Sequence, residues 1–300
     1  MNGLPPQDAA PDGPDRLTPP QGAPGGRDPL GRTLIYVFAV TGAPPAAGLP
    51  AAAAGHEEGG PLRVLQAGAL WLLAQDVPAS AFTETALAER LNRPEELERC
   101  ARAHHRGVEA AARQGPVVPL PMATLYASDT NAVEAVTARA PEFGALLDRL
   151  RDRTEWAVKV HATAPPAAAP QGAPPVCEGG PPGGRAYLSR ASARRRIRHE
   201  AHEQAVAQAM EVDRELRQYA VAATRYRPQS ERLSGRGTPQ LLNAAYLVDD
   251  AGQGDFTRVL ARAATGRPHV DIIASGPWVP YSFARPDQEW GSTAREEVGA

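Results

Sequence analysis

The chain has 300 residues, of which 42% are hydrophobic and 22% charged, and its formal net charge at pH 7 is −2. This length allows one large or two ordinary domains, and the small net charge argues against a general attraction to nucleic acid or to a membrane surface. The sequence contains no apolar run of the ~18 residues that a membrane span needs. It also begins without the basic and apolar regions of a secretion signal. We therefore expect a cytoplasmic protein with neither nucleic acid nor membrane as a partner.

Composition divides the chain into five segments. Residues 1–32 are rich in Pro, Gly, Asp and Gln and nearly free of large apolar side chains, which predicts a disordered N-terminal tail. Residues 285–300 predict a flexible tail for the same reason. Residues 163–184 consist mostly of Ala, Pro and Gly and indicate a linker or a long surface loop. An N-terminal α+β domain at 33–162 and a C-terminal α+β domain at 185–284 are expected between these segments.

The two cysteines indicate the redox environment. Cys100 falls on the apolar face of a predicted helix, whereas Cys177 lies in the Pro/Gly-rich linker. Their separation makes a disulfide improbable, which fits a reducing cytoplasm.

The first domain opens with strands. Leu34–Val40 is apolar and rich in β-branched and aromatic residues, which predicts a strand. The apolar run Leu62–Val77 fits one helix or two strands. Gly68 near its centre and Pro78 after its end favour a hairpin of strands.

Helices and short extended segments follow in the first domain. One helix is predicted over Thr83–Leu91, and a second begins with Asn92 as its N-cap and ends at Gly115-Pro116. Three prolines in Pro116–Tyr126 predict an edge strand or an extended crossing. Helix returns over Asn131–Arg151, with a break at Pro141 left open. The last element of this domain is a strand at Thr154–Val160, with Glu155 and Lys159 on a charged face.

The second domain is predicted as a long helix followed by a strand, a helix and a strand. These elements cover Arg185–Ala223, Gln240–Val248, Asp255–Ala264 and Val270–Ala274. The inner stripe of the long helix is expected to contain Ala201, Ala205, Ala209, Val212, Leu216, Tyr219 and Ala223. Short strands and helices without a regular βαβ repeat indicate the α+β class.

A cluster of aromatic residues follows the last predicted strand. Trp278, Tyr281 and Phe283 fall within six positions, after Gly276-Pro277 has stopped the strand. Pro277 and Pro280 restrict the backbone, which predicts a stiff, non-helical segment at the edge of the sheet. Aromatic side chains bury a large area and are enriched at interfaces. Two interpretations remain open: the segment packs back onto its own domain, or part of it binds a partner.

The sequence shows no arrangement of residues that carries catalysis. The run His199-Glu200-Ala201-His202-Glu203 places its histidines three residues apart, whereas one metal on a helix face requires four. The basic run Arg194–Arg198 is more simply a solvated helix face than a phosphate site. His104 lies on an apolar stripe and is predicted to be a hydrogen-bonded core residue. We therefore expect no enzyme activity, no cofactor and no metal.

Several motifs in the two predicted domains are similar to those of one known family. The C-terminal motifs are Leu242-Asn243-Ala244-Ala245-Tyr246-Leu247-Val248 and Ser275-Gly276-Pro277-Trp278-Val279-Pro280-Tyr281-Ser282-Phe283. The N-terminal motifs are Tyr36-Val37-Phe38, Ala103-His104, Pro119-Leu120, Thr124-Leu125-Tyr126 and Glu155-Trp156-Ala157-Val158-Lys159-Val160. Together they resemble the gas vesicle GvpL/GvpF family, and the resemblance covers about residues 34–284. It departs at Pro121-Met122-Ala123, where the family usually has Arg-Phe-Gly, at Ala157, where it has Gly, and at Val279, where it has Pro.

The resemblance implies two α+β domains, the second a modified ferredoxin-like fold with a long helix. It also implies a cytoplasmic accessory protein that helps to build gas vesicles, the hollow protein shells that give cells buoyancy. The expected partners are the apolar shell protein and other gas vesicle accessory proteins. Both a shell component and a pure assembly factor are compatible with it.

The residues suggest how such a protein would bind the shell subunit. A soluble helper would add one of its strands to an exposed sheet edge of the subunit. Trp278, Tyr281 and Phe283 would be the aromatic anchors, and Glu155 and Lys159 a polar rim. The alternative function is a small-ligand-binding regulatory or enzymatic α+β domain, since related sheets host such sites.

Overall fold

The structure is a computed structural model, and it describes residues 32–44, 55–163, 184–228 and 237–285. Within 184–190 only the backbone is described. The predicted N-terminal tail before residue 32, the C-terminal tail after residue 285 and nearly all of the 163–184 segment, with Cys177, lie outside these residues.

The chain forms two compact units, whose boundaries differ from the predicted domains. Of the described residues, the first unit contains those up to Glu155 together with 277–285, and the second contains Trp156 to Gly276. The division therefore falls at Glu155 rather than after residue 162, inside the strand Arg153–Ala162, which belongs to the second sheet. The chain also returns to the first unit at Pro277, so the second unit does not extend to residue 284.

The first unit is built on an antiparallel sheet. Its strands are β1 (Thr33–Thr41), β2 (Leu62–Ala67), β3 (Leu70–Pro78), β4 (Val117–Pro119) and β5 (Leu125–Tyr126). They are ordered β2-β3-β1-β4, and β5 also pairs with β1. The predicted β2–β3 hairpin is confirmed, and Gly68 at its turn has a φ of 64°, which favours glycine. The Pro-rich segment after residue 116 contributes only two short strands, as its missing N–H groups require.

Five helices accompany this sheet in the described part of the first unit. They are α1 (Ala79–Phe82), α2 (Glu84–Leu91), α3 (Pro94–Ala112), α4 (Asp129–Ala138) and α5 (Ala140–Leu150). Asn92 is the C-cap of α2 and not the N-cap of α3, which begins with Pro94 in its first turn after Arg93. The predicted 131–151 helix is two helices, with Pro141 in the first turn of the second.

Helix α3 packs closely against the centre of this sheet. A Cβ atom at Gly107 would lie 2.4 Å from Cδ1 of Phe38, so the absence of a side chain lets the aromatic ring contact the helix backbone. Phe38 and Tyr36 of β1 are buried with Val108 of α3 in one core cluster.

In its described residues the second unit is a four-stranded sheet with two α-helices. Its elements are β6 (Arg153–Ala162), α6 (Gly184–Arg217), β7 (Ala222–Arg225), β8 (Gln240–Asp249), α7 (Gln253–Thr265) and β9 (Val270–Trp278). The strands are ordered β7-β8-β6-β9, and β7 pairs with β8 in the antiparallel sense. The described elements of this unit follow one another in the order β-α-β-β-α-β. The predicted α+β class is confirmed.

The core of the second unit lies between the sheet and the C-terminal half of α6. Ala205, Ala209, Val212 and Leu216 are buried against the sheet, as their helical spacing predicted. The prediction was wrong at the end of the helix, which stops at Arg217. Tyr219 is 42% exposed and Ala222 already begins β7.

Candidate functional site

The C-terminal aromatic segment, Trp278–Phe283, follows the last strand of the second sheet. β9 continues through Gly276-Pro277 to Trp278, so the prediction that the strand stops at Gly276 was wrong. Gly276 has a φ of 149°, a value that glycine adopts readily, and this keeps the chain extended there. A short 3-10 turn at Tyr281–Phe283 then replaces the predicted non-helical segment.

The aromatic side chains of this segment differ in burial. Phe283 has no exposed surface, and Tyr281 packs against the core cluster of the first unit. The Tyr281 hydroxyl lies 3.2 Å from Nδ1 of His105 on α3, and the edge of the Trp278 ring meets the His105 ring at 5.8 Å. Trp278 remains only partly buried. Tyr281 therefore packs in the first unit and Phe283 is buried, whereas the first of the two open interpretations placed the segment on the C-terminal domain.

Glu155 holds the 3-10 turn in place. Its two carboxylate oxygens accept hydrogen bonds from the backbone N–H and the hydroxyl of Ser282, at 2.8 and 2.6 Å. Glu155 is only 4% exposed, so the expectation that it forms an exposed polar rim is wrong. Burial raises the pKa of this carboxyl to about 7, although both hydrogen bonds from Ser282 act in the opposite direction.

The five residues predicted to bind a partner are thus divided between the units. Trp278, Tyr281, Phe283 and Glu155 lie in the first unit, where Glu155 fixes the turn that carries two of the aromatic side chains. Lys159 lies on β6 in the second unit and is partly exposed. Partner binding by any of the five stays a prediction.

A buried hydrogen-bond chain in the first unit explains the His104 motif. Nε2 of His104 lies 3.0 Å from the carbonyl oxygen of Leu120, so this nitrogen carries the proton, because a carbonyl only accepts. The Tyr36 hydroxyl then donates to Nδ1 at 2.9 Å and accepts the N–H of Ala123. Burial lowers the pKa of His104 to about 3, which keeps the ring neutral. The prediction of a hydrogen-bonded core histidine is confirmed.

A second polar network, around Asp213, was not predicted from the sequence. The Tyr246 hydroxyl donates to Oδ1 of Asp213 at 2.6 Å, and Arg217 and Arg225 donate to Oδ2. Burial by itself would raise the pKa of Asp213, but the hydrogen bonds from Arg225, Tyr246 and Arg217 outweigh it and lower the pKa. Tyr246 of the C-terminal motif therefore fastens β8 to α6. Asp213 is a buried acidic residue on α6. A carboxylate at a buried position of a helix needs partners, and this signal was missed in the sequence.

No group of three or more His, Cys, Asp or Glu residues in the described ranges is placed to hold a metal ion. A hollow of about 300 Å³ in the first unit is lined by residues that include Glu58 and Asp76. Both are engaged, with Arg90 at 3.0 Å and with Arg63 at 2.6 Å. None of the described helices is long and apolar enough to span a membrane.

Known proteins are similar to this chain in sequence and in fold. Residues 34–285 match the family model of the gas vesicle synthesis proteins GvpL/GvpF. The chain is 38% identical over 252 residues to gas vesicle protein L of Streptomyces sp. (strain CB03234), covering 84% of this chain and 92% of that protein.

Two solved structures share the fold at low identity. The crystal structure of GvpF from Anabaena sp. PCC7120 aligns with a TM-score of 0.58 at 14% identity, over 85% of this chain and 98% of that one. GvpF from Microcystis aeruginosa aligns with a TM-score of 0.56 at 13% identity, over 85% and 100% of the two chains.

Proposed function

Because the chain belongs to the GvpL/GvpF family of gas vesicle synthesis proteins, we propose that it is a cytoplasmic accessory protein that binds the apolar shell subunit during gas vesicle assembly. Family membership supports a gas vesicle-related role. A shell subunit needs an apolar surface toward the gas, so the free subunit is prone to aggregate and benefits from a protein that covers this surface.

The edge of the second sheet supports this mode of binding. β9 is the end strand of the order β7-β8-β6-β9, and its Ile272 and Ile273 are both only partly buried. Successive side chains of a strand point to opposite faces, so these two isoleucines offer apolar surface on both faces. An end strand with apolar side chains is a template for an added strand. We propose that a strand of the shell subunit pairs along β9.

The aromatic segment has a more limited part in this proposal than the sequence suggested. Trp278 ends β9 and keeps exposed surface, so it is the remaining candidate anchor, and Lys159 is the remaining candidate for the polar rim. Phe283, Tyr281 and Glu155 act by holding the segment in position. Their removal would therefore affect folding before binding.

Binding and melting measured on the same variants test the proposal. Ile273→Lys places a charge on the edge strand, which opposes strand addition, and Trp278→Ala removes the anchor. We expect each to weaken capture of purified shell subunit at least about tenfold, which corresponds to about 1.4 kcal/mol. Each should keep a cooperative melting transition. Leu97→Lys is the matched control, since Leu97 is 39% exposed on α3 of the first unit.

Two outcomes contradict the proposal. Undiminished binding by folded Ile273→Lys and Trp278→Ala proteins would exclude β9 as the docking edge. Normal flotation of cells that lack this gene, with no close copy to replace it, would exclude the assembly role itself.

A further inference from the structure

Residues 191–200 of α6 lack the packing that the C-terminal half of the helix makes. Residues 191–200 are exposed without exception, whereas Ala205 begins the buried face. We refer to residues 191–204 as the basic arm. At 1.5 Å per residue it is a helix about 20 Å long. A helix that is solvated on every side has no core contacts to stabilise it, so contact with a partner would add stabilisation that its own unit does not provide.

The charges of the arm are not balanced within the helix. Four arginines fall within residues 194–198, and only Arg196 forms an ion pair, at 3.5 Å to Glu200. Among the described residues, Arg194, Arg195 and Arg198 have no ion-pair partner. Arg194 and Arg198 are four positions apart on a helix, where like charges destabilise. A carboxylate supplied from outside would turn this repulsion into attraction.

The arm also carries a narrow apolar seam. Ala193, Ile197 and Ala201 follow one another at four-residue spacing and therefore lie along one side of the helix. Ile197 is 60% exposed, the largest exposed fraction among the large hydrophobic side chains whose burial the structure describes. Arg194 and Arg198 flank this seam on one side. An apolar seam with charged flanks is the pattern by which two helices pair.

We propose that the basic arm is a docking surface for an acidic amphipathic helix of another protein. The partner helix places apolar side chains on Ala193, Ile197 and Ala201 and carboxylates against Arg194 and Arg198. This contact is separate from the β9 edge and does not depend on shell-subunit binding there.

Two other occupants fit the arm less well. Nucleic acid would bring phosphates to a helix that also carries Glu200 and Glu203, and it would leave the Ile197 seam unused. The net charge of −2 also gives the whole chain no attraction to nucleic acid. A second copy would set one arginine-rich arm against another, and like charges across an interface are unfavourable.

The test uses the full chain and a synthetic probe. The probe is a helical peptide of about four heptads with Leu at the seam positions and Glu at the flanks. Two comparison peptides have Lys at the flanks or the same residues in scrambled order. Fluorescence anisotropy should show saturable binding of the Glu peptide and no saturable binding of the Lys peptide or the scrambled peptide. That binding should weaken as salt rises from about 0.05 to about 0.5 M, because the Debye length shortens.

Substitutions in the basic arm test whether the Glu peptide binds there. Arg194→Glu/Arg198→Glu should weaken the Glu peptide at least about tenfold and create binding of the Lys peptide. Ile197→Ser, which leaves the charge unchanged, should weaken binding of the Glu peptide. The matched control is Arg113→Glu/Arg227→Glu, which makes the same charge change at exposed arginines outside the arm. Circular dichroism confirms that each variant is folded.

Three results would overturn the proposal. Equal binding of the ordered and scrambled Glu peptides would show charge attraction without helix pairing. Tighter binding of a DNA duplex than of the Glu peptide would favour nucleic acid. Self-association in sedimentation that is lost in Ile197→Ser would assign the arm to a second copy.

Discussion

Ala123 occupies a backbone conformation that favours glycine over a residue with a side chain. Its φ is 65°, in the left-handed region that favours glycine, and the resemblance to related proteins indicates that Gly usually occupies this position. Its N–H donates to the Tyr36 hydroxyl at 2.9 Å, so the conformation is tied to the buried His104 network. We predict that Ala123→Gly stabilises the protein.

The expected change in the free energy of unfolding for Ala123→Gly is the sum of three contributions. Relief of the left-handed conformation gains about 1–2 kcal/mol, and the greater freedom of glycine in the unfolded chain costs about 0.5–1 kcal/mol. Loss of a half-buried methyl group costs about 0.4 kcal/mol, half of the value for full burial. The net gain is therefore about 0.4 kcal/mol. The N–H that Tyr36 needs is retained.

Ala88→Gly is the matched control, because the same change in an exposed position inside α2 should cost about 1 kcal/mol. Denaturant unfolding of both variants measures the difference, which we expect to be about 1.4 kcal/mol. A loss of stability in Ala123→Gly as large as that in Ala88→Gly would refute the reasoning, since it would mean that the left-handed backbone carries no penalty.

Three further predictions concern buried contacts. Tyr246→Phe removes the hydroxyl that donates to Asp213 and should cost about 1.5–3 kcal/mol in denaturant unfolding, as bonds to charged groups do. Gly107→Ala places a methyl group against the Phe38 ring and should lower stability by about 1–3 kcal/mol in the same assay. For Glu155, the folded-state pKa of about 7 lies above the unfolded value, so stability is fully present below the unfolded pKa of about 4.3 and is lost as pH rises through 7. Unfolding free energies measured between about pH 4 and 8 should show this fall, which Glu155→Gln should reduce.

Each of these predictions has its own control. If Tyr246→Phe has the same free energy of unfolding as the parent protein, the Tyr246 hydroxyl adds no net stability to the contacts that Arg217 and Arg225 make with Asp213. Gly144→Ala is the control for Gly107→Ala, because no atom lies within 4 Å of a Cβ built there. A pH dependence that is the same in Glu155→Gln and in the parent protein would assign the titration to another group.

Local patterns in the sequence were sufficient for most elements of the fold. A run of apolar, β-branched and aromatic residues predicted β1, Gly68 predicted the β2–β3 hairpin, and helical spacing predicted the buried face of α6 from Ala205 to Leu216. Short motifs also carried the family resemblance. These predictions succeeded because burial of a strand face or a helix stripe repeats at the period of the backbone itself.

Only the tertiary structure decided that Glu155 and Asp213 are buried and that Ile197 is exposed. Glu155 occupies a face of β6 that reads as charged and exposed, yet it is buried because Ser282, 127 positions later, returns to satisfy both of its oxygens. Asp213 is likewise buried by arginines and a tyrosine from three different elements. Conversely, Ile197 continues the pattern of a core helix but lies beyond anything in the described ranges that would cover it. Burial depends on which distant segments meet, and a local pattern does not contain that information.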